Sequence, residues 1–560
     1  MLNTSLTCKP CLVPGAKVLL VGEAPGAEEL TQGQPFVGLS GIELALMLGE
    51  AGLRMADYAS TNVAFLRPPG GDINNWIAST KTQEAELESR GGIRYNGRVI
   101  AKDLYAGVRA LEETILEVKP TLILALGNAA LFFLTGEWGI GNWRGSILDN
   151  VLGPHQCTVI PTYNPAGVLR QFNLRRVCIQ DFRRARGILQ DGVPKLVQNF
   201  LVAPSFTQVT NVIDYLMERL DKGPLRLAVD IETRNYHTAC IGFAWSKTDA
   251  LCIPLMKSGN PNGYWSFEEE AEITFLLYQL LTHPNVEVEG QNFLYDAQYI
   301  HRFMYFVPRL RRDTMLAQHV CFLGLPKSLD FIASMYCEHY RFWKEDGKTW
   351  AKNMDERILW RYNCEDCVRT YECSEALDGV VRSLGLDEQY DFQMRLWWAT
   401  FRMMERGLEQ DESLRAQLQH ELHTYGLWLL AEIEFMAGMP LNPKSPKQMK
   451  EFFYGHLQLR PEYKRGKKAA PGKVRQPSCD DECLNRVAQR EPLVRPLVDA
   501  ILNYRSVSVY GSTFLGDCRD GDGLVRCFFN PAGTVTLRYS SAENAFGSGM
   551  NLQNIPGKEK

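Results

Sequence analysis

Leu225 to Thr233 reads LRLAVDIET, an apolar run that closes on two carboxylates, Asp230 and Glu232, two residues apart. In an extended strand such residues project from the same face. Side by side they repel each other unless a cation lies between them, and hard oxygen ligands suit magnesium or manganese. The stretch therefore predicts a strand that carries half of a divalent metal site.

Outward from it, ACIGFAW and ALCIPL are two further short apolar runs separated by polar turns, the pattern of an antiparallel meander. Helical stretches follow, EEEAEITFLLYQLL, DAQYIHRFM and a long one from Met354 to about Leu384, so this unit reads as strands first and helices after. Asp296, four residues beyond Asn292 in QNFLYDAQYI, stands where a strand gives way to a helix and brings a third carboxylate. In RYNCEDCVRTYE, Tyr362 and Asp366 are four apart on a helix and share a face. Four acids and a tyrosine can hold two metal ions ~3.5–4 Å apart, where one activates a water and the other stabilises the leaving 3′ oxygen. Tyr362 would orient the water.

Two other regions flank this unit. From Ala16 to about Leu189 the pattern alternates between AKVLLVG, TLILALG and CTVIPTY, which read as strands, and SGIELALMLGEAG, VRALEETILEVK and RRVCIQDFRRARGIL, which read as helices. That alternation predicts a sheet covered on both faces, and DGVPK near Asp191 marks a linker. From about Asp387 the chain is mostly helical. Three domains are expected, 1–190, 200–385 and 386–560, which suits 560 residues that are 45% hydrophobic. A net charge of −4 neither announces nor excludes a nucleic-acid partner. The fifteen cysteines form no regular framework, and no apolar run is long enough to span a bilayer, so a reducing, cytoplasmic setting without a membrane is expected.

DIET, NFLYD and Y-x-x-x-D, in this order, resemble the three motifs of the DEDDy 3′-5′ exonucleases of proofreading polymerases, with RRDTMLAQHV and KSLDFIASMY as similar supporting segments. The resemblance implies an RNase H-like domain with a mixed sheet, and assigns Asp230, Glu232, Asp296, Tyr362 and Asp366 to catalysis, the four acids to metal and Asn292 to DNA. Further on, MMERGLEQDESL, NPKSPKQMKEFFY and LVDAILNYRSVSVYGSTFL resemble the thumb of family A DNA polymerases. TVTLRYSS and NLQNIP resemble the start of its palm, which implies DNA contacts at Arg538, Gln553 and Asn554. Leu537 stands where that family has Gly, and ENAFGSGM is an apparent insertion. YKRGKKAAPGKVR, with Lys464, Arg465, Lys467 and Lys468, suits a thumb tip that follows phosphates. The chain stops at Lys560 before any palm carboxylates or fingers helix, so the expectation is a split polymerase whose palm and fingers come from a second polypeptide, or a truncated sequence.

VGEAPGAEELTQGQPFVGLSG, TNVAFLRPPGGD, PTLILALGNAALFFLTG, RGS and PTYNPAGVLRQ resemble family 4 uracil-DNA glycosylases in order, over almost the whole first domain. That implies an α/β/α fold in which Phe36 stacks on a flipped base, Asn62 reads its Watson–Crick edge and Glu23 belongs to the catalytic loop. Asn164-Pro165 replaces the family's His-Pro, so the imidazole that would stabilise a uracil anion is missing. Only Cys8 and Cys11 match the first pair of cluster cysteines, and an iron–sulfur cluster is not expected. Over the whole chain the sequence resembles phage polymerases with such an N-terminal domain. An α/β multidomain replication protein follows, binding a primer-template and a single-stranded 3′ end. Its alternatives are a replication scaffold or uracil sensor without chemistry, and a free-standing exonuclease similar to RNase D, against which the thumb-like segment argues.

Overall fold

The computed structural model describes residues 7–345, 355–465 and 475–555. Lys467 and Lys468 lie outside these. The chain divides into two compact units, Met1–Trp398 with Thr534–Arg538, and Ala399–Gly533 with Tyr539–Lys560.

The first unit carries two large sheets. Strands β1 (Val18–Gly22), β2 (Ala59–Asn62), β5 (Leu122–Leu126), β6 (Leu148–Asp149) and β7 (Thr158–Thr162) form a sheet of order β2-β1-β5-β7-β6, while β3 (Ile93–Tyr95) and β4 (Arg98–Ile100) make a separate hairpin. β2, β1, β5 and β7 are parallel and only the edge strand β6 is antiparallel. Every residue of β1 and β5 is buried, as expected where both faces of a parallel sheet are covered. On one face Leu20, Leu124 and Ile160 pack with Leu44 and Met47 of the helix Leu39–Glu50 and with Phe182 of the helix Arg175–Asp191.

The second sheet has the order β13-β12-β9-β10-β11-β8, from β8 (Asn199–Leu201), β9 (Leu225–Arg234), β10 (His237–Ala244), β11 (Asp249–Pro254), β12 (Val286–Gly290) and β13 (Leu310–Asp313). β9, β10 and β11 form the expected antiparallel meander, and β12 pairs parallel with β9, which makes the sheet mixed. The helix Glu356–Leu384 begins on an Asp355 cap and lays Cys364, Cys367 and Val368 into a core with Ala228, Cys240 and Cys252. The fold is α/β and multidomain, as the sequence implied.

The second unit is mostly helical. Its helices Glu412–Ala437 and Arg495–Val509 share a core in which Leu429, Ile433, Phe453, Leu484, Val498 and Ile501 are buried. A short hairpin, β14 (Phe528–Asn530) with β15 (Ser540–Ala542), completes it. Among the described residues no helix is long and apolar enough to cross a membrane.

Candidate functional site: an acidic centre and a base pocket

Asp230 and Glu232 project from one face of β9 and meet Asp366 of the helix Glu356–Leu384, with one carboxylate oxygen from each of the three within 4.8 Å of the others. Asp296, in the first turn of the helix Leu294–Met304, accepts the Ile231 N–H at 3.0 Å and so sits against the backbone between the two strand acids. Burial, reinforced by the neighbouring acids, holds the Asp230 carboxyl well above its usual range, and the same two causes push Glu232 up to about 8. Asp296 rises to about 7, chiefly from burial, which its backbone hydrogen bonds only partly offset. Such a set of hard oxygen donors is stable as anions only beside a cation, so these residues fit divalent metal.

One cation of the protein already lies there. Lys344 Nζ donates to Asp366 Oδ2 and, at 2.8 Å, to the Tyr362 hydroxyl, while Trp343 Nε1 donates to Asp366 Oδ1. Burial would lower the Lys344 amine, but Asp366 and Tyr362 outweigh it and hold the ammonium above its ordinary range. Tyr362 is likewise pushed up, by burial and by Asp366, so its phenol keeps its proton.

Sequence reasoning missed Lys344 and Trp343, and two further supports. Asn363 Nδ2 donates to Asp230 Oδ2 at 2.9 Å and to Asp230 O at 3.2 Å, fixing the carboxylate's orientation. It reaches there only because Gly242, paired with Asp230 across the sheet, has no side chain: a Cβ would stand 2.1 Å from Asn363 Oδ1. Asp313 caps the helix Thr314–Cys321 and accepts the Asn292 and Phe293 N–H groups at 3.2 and 2.9 Å, which fixes the turn leading to Asp296. Burial raises its carboxyl to about 6, against these hydrogen bonds. Asn292 holds a left-handed φ of 55°, and its buried Oδ1 has no hydrogen-bond partner. The neighbour relation of Asn363 to Tyr362, and RRDT before a helix, were the available signals.

The first domain brings its four predicted residues together at the carboxyl ends of β1, β2 and β7. Glu23 Oε1 accepts the Ala129 N–H at 3.0 Å and its Oε2 accepts Asn164 Nδ2 at 2.7 Å. Asn164 Oδ1 in turn caps the following helix through Ala166 N. Asn62 is buried, its Nδ2 lies beside the Cys8 thiol without a regular hydrogen bond, and its Oδ1 occupies the space a Cβ on Gly22 would need. The Phe36 ring borders that same Gly22, and Phe36 itself sits at φ 59° with its N–H held by Glu29. Cys8 is buried, its N–H bonded to Phe65 O, and its thiol is pushed up to about 11 by burial first and by Glu29, while Cys11 pairs with Ser60.

Residues 11–183 match the uracil DNA glycosylase superfamily, residues 207–382 the 3′-5′ exonuclease family and residues 410–560 DNA polymerase family A. The type-4 uracil-DNA glycosylase of Thermotoga maritima is 33% identical over 178 residues, which cover 31% of this chain and 78% of that protein. Through its first domain this chain belongs to the uracil-DNA glycosylase superfamily. DNA polymerase I of Borreliella burgdorferi is 23% identical over 359 residues, 62% of this chain and 37% of that one, and that of Streptococcus pneumoniae R6 is 28% identical over 334 residues, 58% and 34%. The chain thus spans about a third of these polymerases. The POL domain of Pol1 from M. smegmatis, solved with DNA primer-template and dNTP, aligns at a TM-score of 0.47 and 18% identity over 65% of this chain and 57% of that one. The matched families are those of enzymes acting on DNA, and an exonuclease domain of this kind implies divalent metal ions.

The glycosylase-superfamily domain docks on the exonuclease sheet's helical side through its RGS stretch. Arg144, fully buried, pairs with Asp181 and donates from Nη1 to Ser334 Oγ of the helix Leu329–Tyr336. Arg184 donates to Ser334 O at 2.9 Å and Cys337 O at 2.8 Å. In the polymerase-like region Lys464 and Arg465 pair loosely with Asp480 and Glu482, at 3.7 and 3.5 Å, and are mostly exposed. Gln553 Oε1 accepts from Ser541 Oγ at 2.9 Å, and Asn554 and Arg538 are exposed.

Proposed function

We propose that the middle domain removes nucleotides from a DNA 3′ end during replication, with two magnesium or manganese ions held by Asp230, Glu232, Asp296 and Asp366. The observation that carries this is the convergence of three carboxylates from β9 and a distant helix within 4.8 Å, in a buried setting that raises the proton affinity of Asp230 and Glu232. The metal, when bound, supplies Lewis-acid activation of water and stabilisation of the leaving oxygen. The chain's own groups do the positioning. Asn363 fixes Asp230, the Ile231 N–H fixes Asp296, the protonated phenol of Tyr362 orients the water, and Asn292 Oδ1 offers an acceptor to the nucleotide. With chelated protein as control, the test compares matched DNA and RNA single strands labelled at the 5′ end. Stepwise metal-dependent shortening of DNA is expected, and a preference for RNA would favour the RNase D-like alternative.

Residues 386–560 are proposed to hold a primer-template. Arg538, Gln553 and Asn554 would reach the minor groove, and Lys464 and Arg465 the phosphates, whose charge can displace weak surface ion pairs.

For the first domain a second reading is favoured by the Asn164–Glu23 hydrogen bond. We infer a pocket that reads an extruded uracil without cutting it. Asn62, at the end of β2, would read the base edge, and Phe36, beside Gly22, would stack on it. Asn164 is neutral and tied to Glu23, so it cannot supply the positive charge a departing uracil anion calls for.

A further inference from the structure

The segment Cys337–Glu345 runs without regular structure from the helix Leu329–Tyr336 to the acidic centre, and it is gripped from both sides. On the side of the first domain, Ile147 N donates to Tyr340 O at 2.7 Å and Phe342 N donates to Ser146 Oγ at 3.1 Å. Arg184 lies over the buried Tyr340 ring, and Trp143 meets the Phe342 ring edge to face. On the exonuclease side, Arg369 donates to His339 O at 2.7 Å and Glu338 N donates to Glu372 Oε1 at 2.9 Å. The strap so held ends in Trp343 and Lys344, which occupy both oxygens of Asp366.

Resting on the exonuclease reading above, we propose that Lys344 is a resident counter-cation of the metal site: its ammonium neutralises Asp366 while metal is absent and is displaced from that carboxylate when metal binds. The placement argues for this. Asp366 is the acid that joins Asp230 and Glu232 in the close triad, and Lys344 holds its Oδ2 while also contacting Tyr362. With Lys344 on Oδ2 and Trp343 on Oδ1, both oxygens of Asp366 already accept a hydrogen bond, and an ammonium in that place repels an incoming divalent ion. The ammonium and the ion therefore compete for one ligand, and their charges repel. Because the strap is fastened to Ser146 and Ile147, the first domain sets how firmly the lysine is presented. The glycosylase-superfamily domain is thereby a positioning element for the exonuclease centre, whatever it does with a base.

The sign of the effect separates this from a structural ion pair. Removing a strut loosens a metal site, whereas removing a competitor tightens it. Mn2+ binding to the full chain is measured by calorimetry without DNA, for wild type, Lys344→Met, Lys344→Gln and Asp230→Asn. Both lysine variants should bind Mn2+ about tenfold more tightly than wild type or better, a shift of about 1.4 kcal/mol, and Ser146→Ala should move in the same direction by less. If Asp230→Asn binds as wild type does, the metal-site assignment itself falls. If Asp230→Asn loses binding while the lysine variants bind as wild type or more weakly, the assignment stands and the counter-cation is overturned. Failure of both lysine variants to fold in chelator, where wild type folds, would also overturn it, since the lysine would then be a fixed pillar.

Discussion

The acidic centre and the base pocket lie in one compact unit and treat charge in opposite ways. At the first, Asp230, Glu232 and Asp366 are crowded into a space that is unfavourable for anions, and the crowding makes sense only with cations, of which Lys344 is the protein's own. At the second, Glu23 is satisfied by a backbone N–H and by the neutral amide of Asn164, and Glu29 by the backbone N–H groups of Gly26 and Phe36. Crowded acids that a cation would relieve fit the proposed reaction centre, while the settled hydrogen bonds of the second fit the proposed recognition pocket.

The sharpest way to break the contrast is to remove charge from the centre. Asp230→Asn should lower the exonuclease rate by about a thousandfold, about 4 kcal/mol of activation free energy, measured on a 5′-labelled single strand. Folding, checked by circular dichroism, should persist, because the amide can still pair with Asn363. An active Asp230→Asn enzyme would erase the distinction between the two sites.

Next comes the reverse change, adding charge to the pocket. Wild type should bind a uracil-containing oligonucleotide and leave it uncut, and Asn164→His should gain glycosylase activity of about a hundredfold over that background, read as alkali-labile abasic sites. Cleavage by wild type would show that Glu23 and Asn62 suffice and that the pocket is a working active site.

How much of this contrast could be seen in the sequence follows from the range of each signal. The strand acids and the Tyr362–Asp366 turn rest on spacings of two and four residues, which the backbone itself dictates, and the parallel core strands on unbroken apolar runs. Lys344 sits in an irregular strap with no period to betray it, and its meaning depends on a helix eighteen to twenty-two residues further on. Asn363 was in plain view, but its role needs Gly242 from another strand. RGS resembles a glycosylase segment, yet Arg144 of that motif pairs with Asp181 and reaches Ser334, a contact across 190 residues that leaves no local trace.

The pH dependence of metal binding gives a smaller effect of defined sign. Glu232 and Asp296, at about 8 and about 7, and the raised Asp230 must lose protons before they can act as ligands. Mn2+ affinity should rise about tenfold per pH unit for each proton expelled, mainly from pH 6 to 8, and level off above. The metal-free protein should behave oppositely. Acids raised by the fold bind protons that the unfolded chain has already released, so its stability should fall as pH rises from the ordinary carboxylate range to about 8. Metal-free melting temperatures between pH 5 and 8 check this, and a rise with pH would mean that the fold does not strain these acids.

The smallest expected effect concerns Leu537, the residue that stands where the resembling polymerase segment has glycine. It adopts φ 60°, a left-handed conformation that a branched aliphatic residue enters only at a cost of about 1 kcal/mol or more. The turn is held there by Thr534, whose hydroxyl accepts the Arg538 N–H at 3.0 Å and donates to the Arg538 carbonyl at 3.1 Å, while Leu537 N donates to Thr534 O at 3.2 Å. Glycine would relieve the strain and recover less than the whole of it, because the unfolded chain gains freedom as well. Leu537→Gly should therefore stabilise the turn by about 1 kcal/mol, slowing hydrogen exchange at the Arg538 amide about fivefold while leaving Mn2+ affinity and uracil binding unchanged. Faster exchange would mean that the Leu537 side chain contributes more by packing than its backbone costs, and that the departure from glycine is a compensated one.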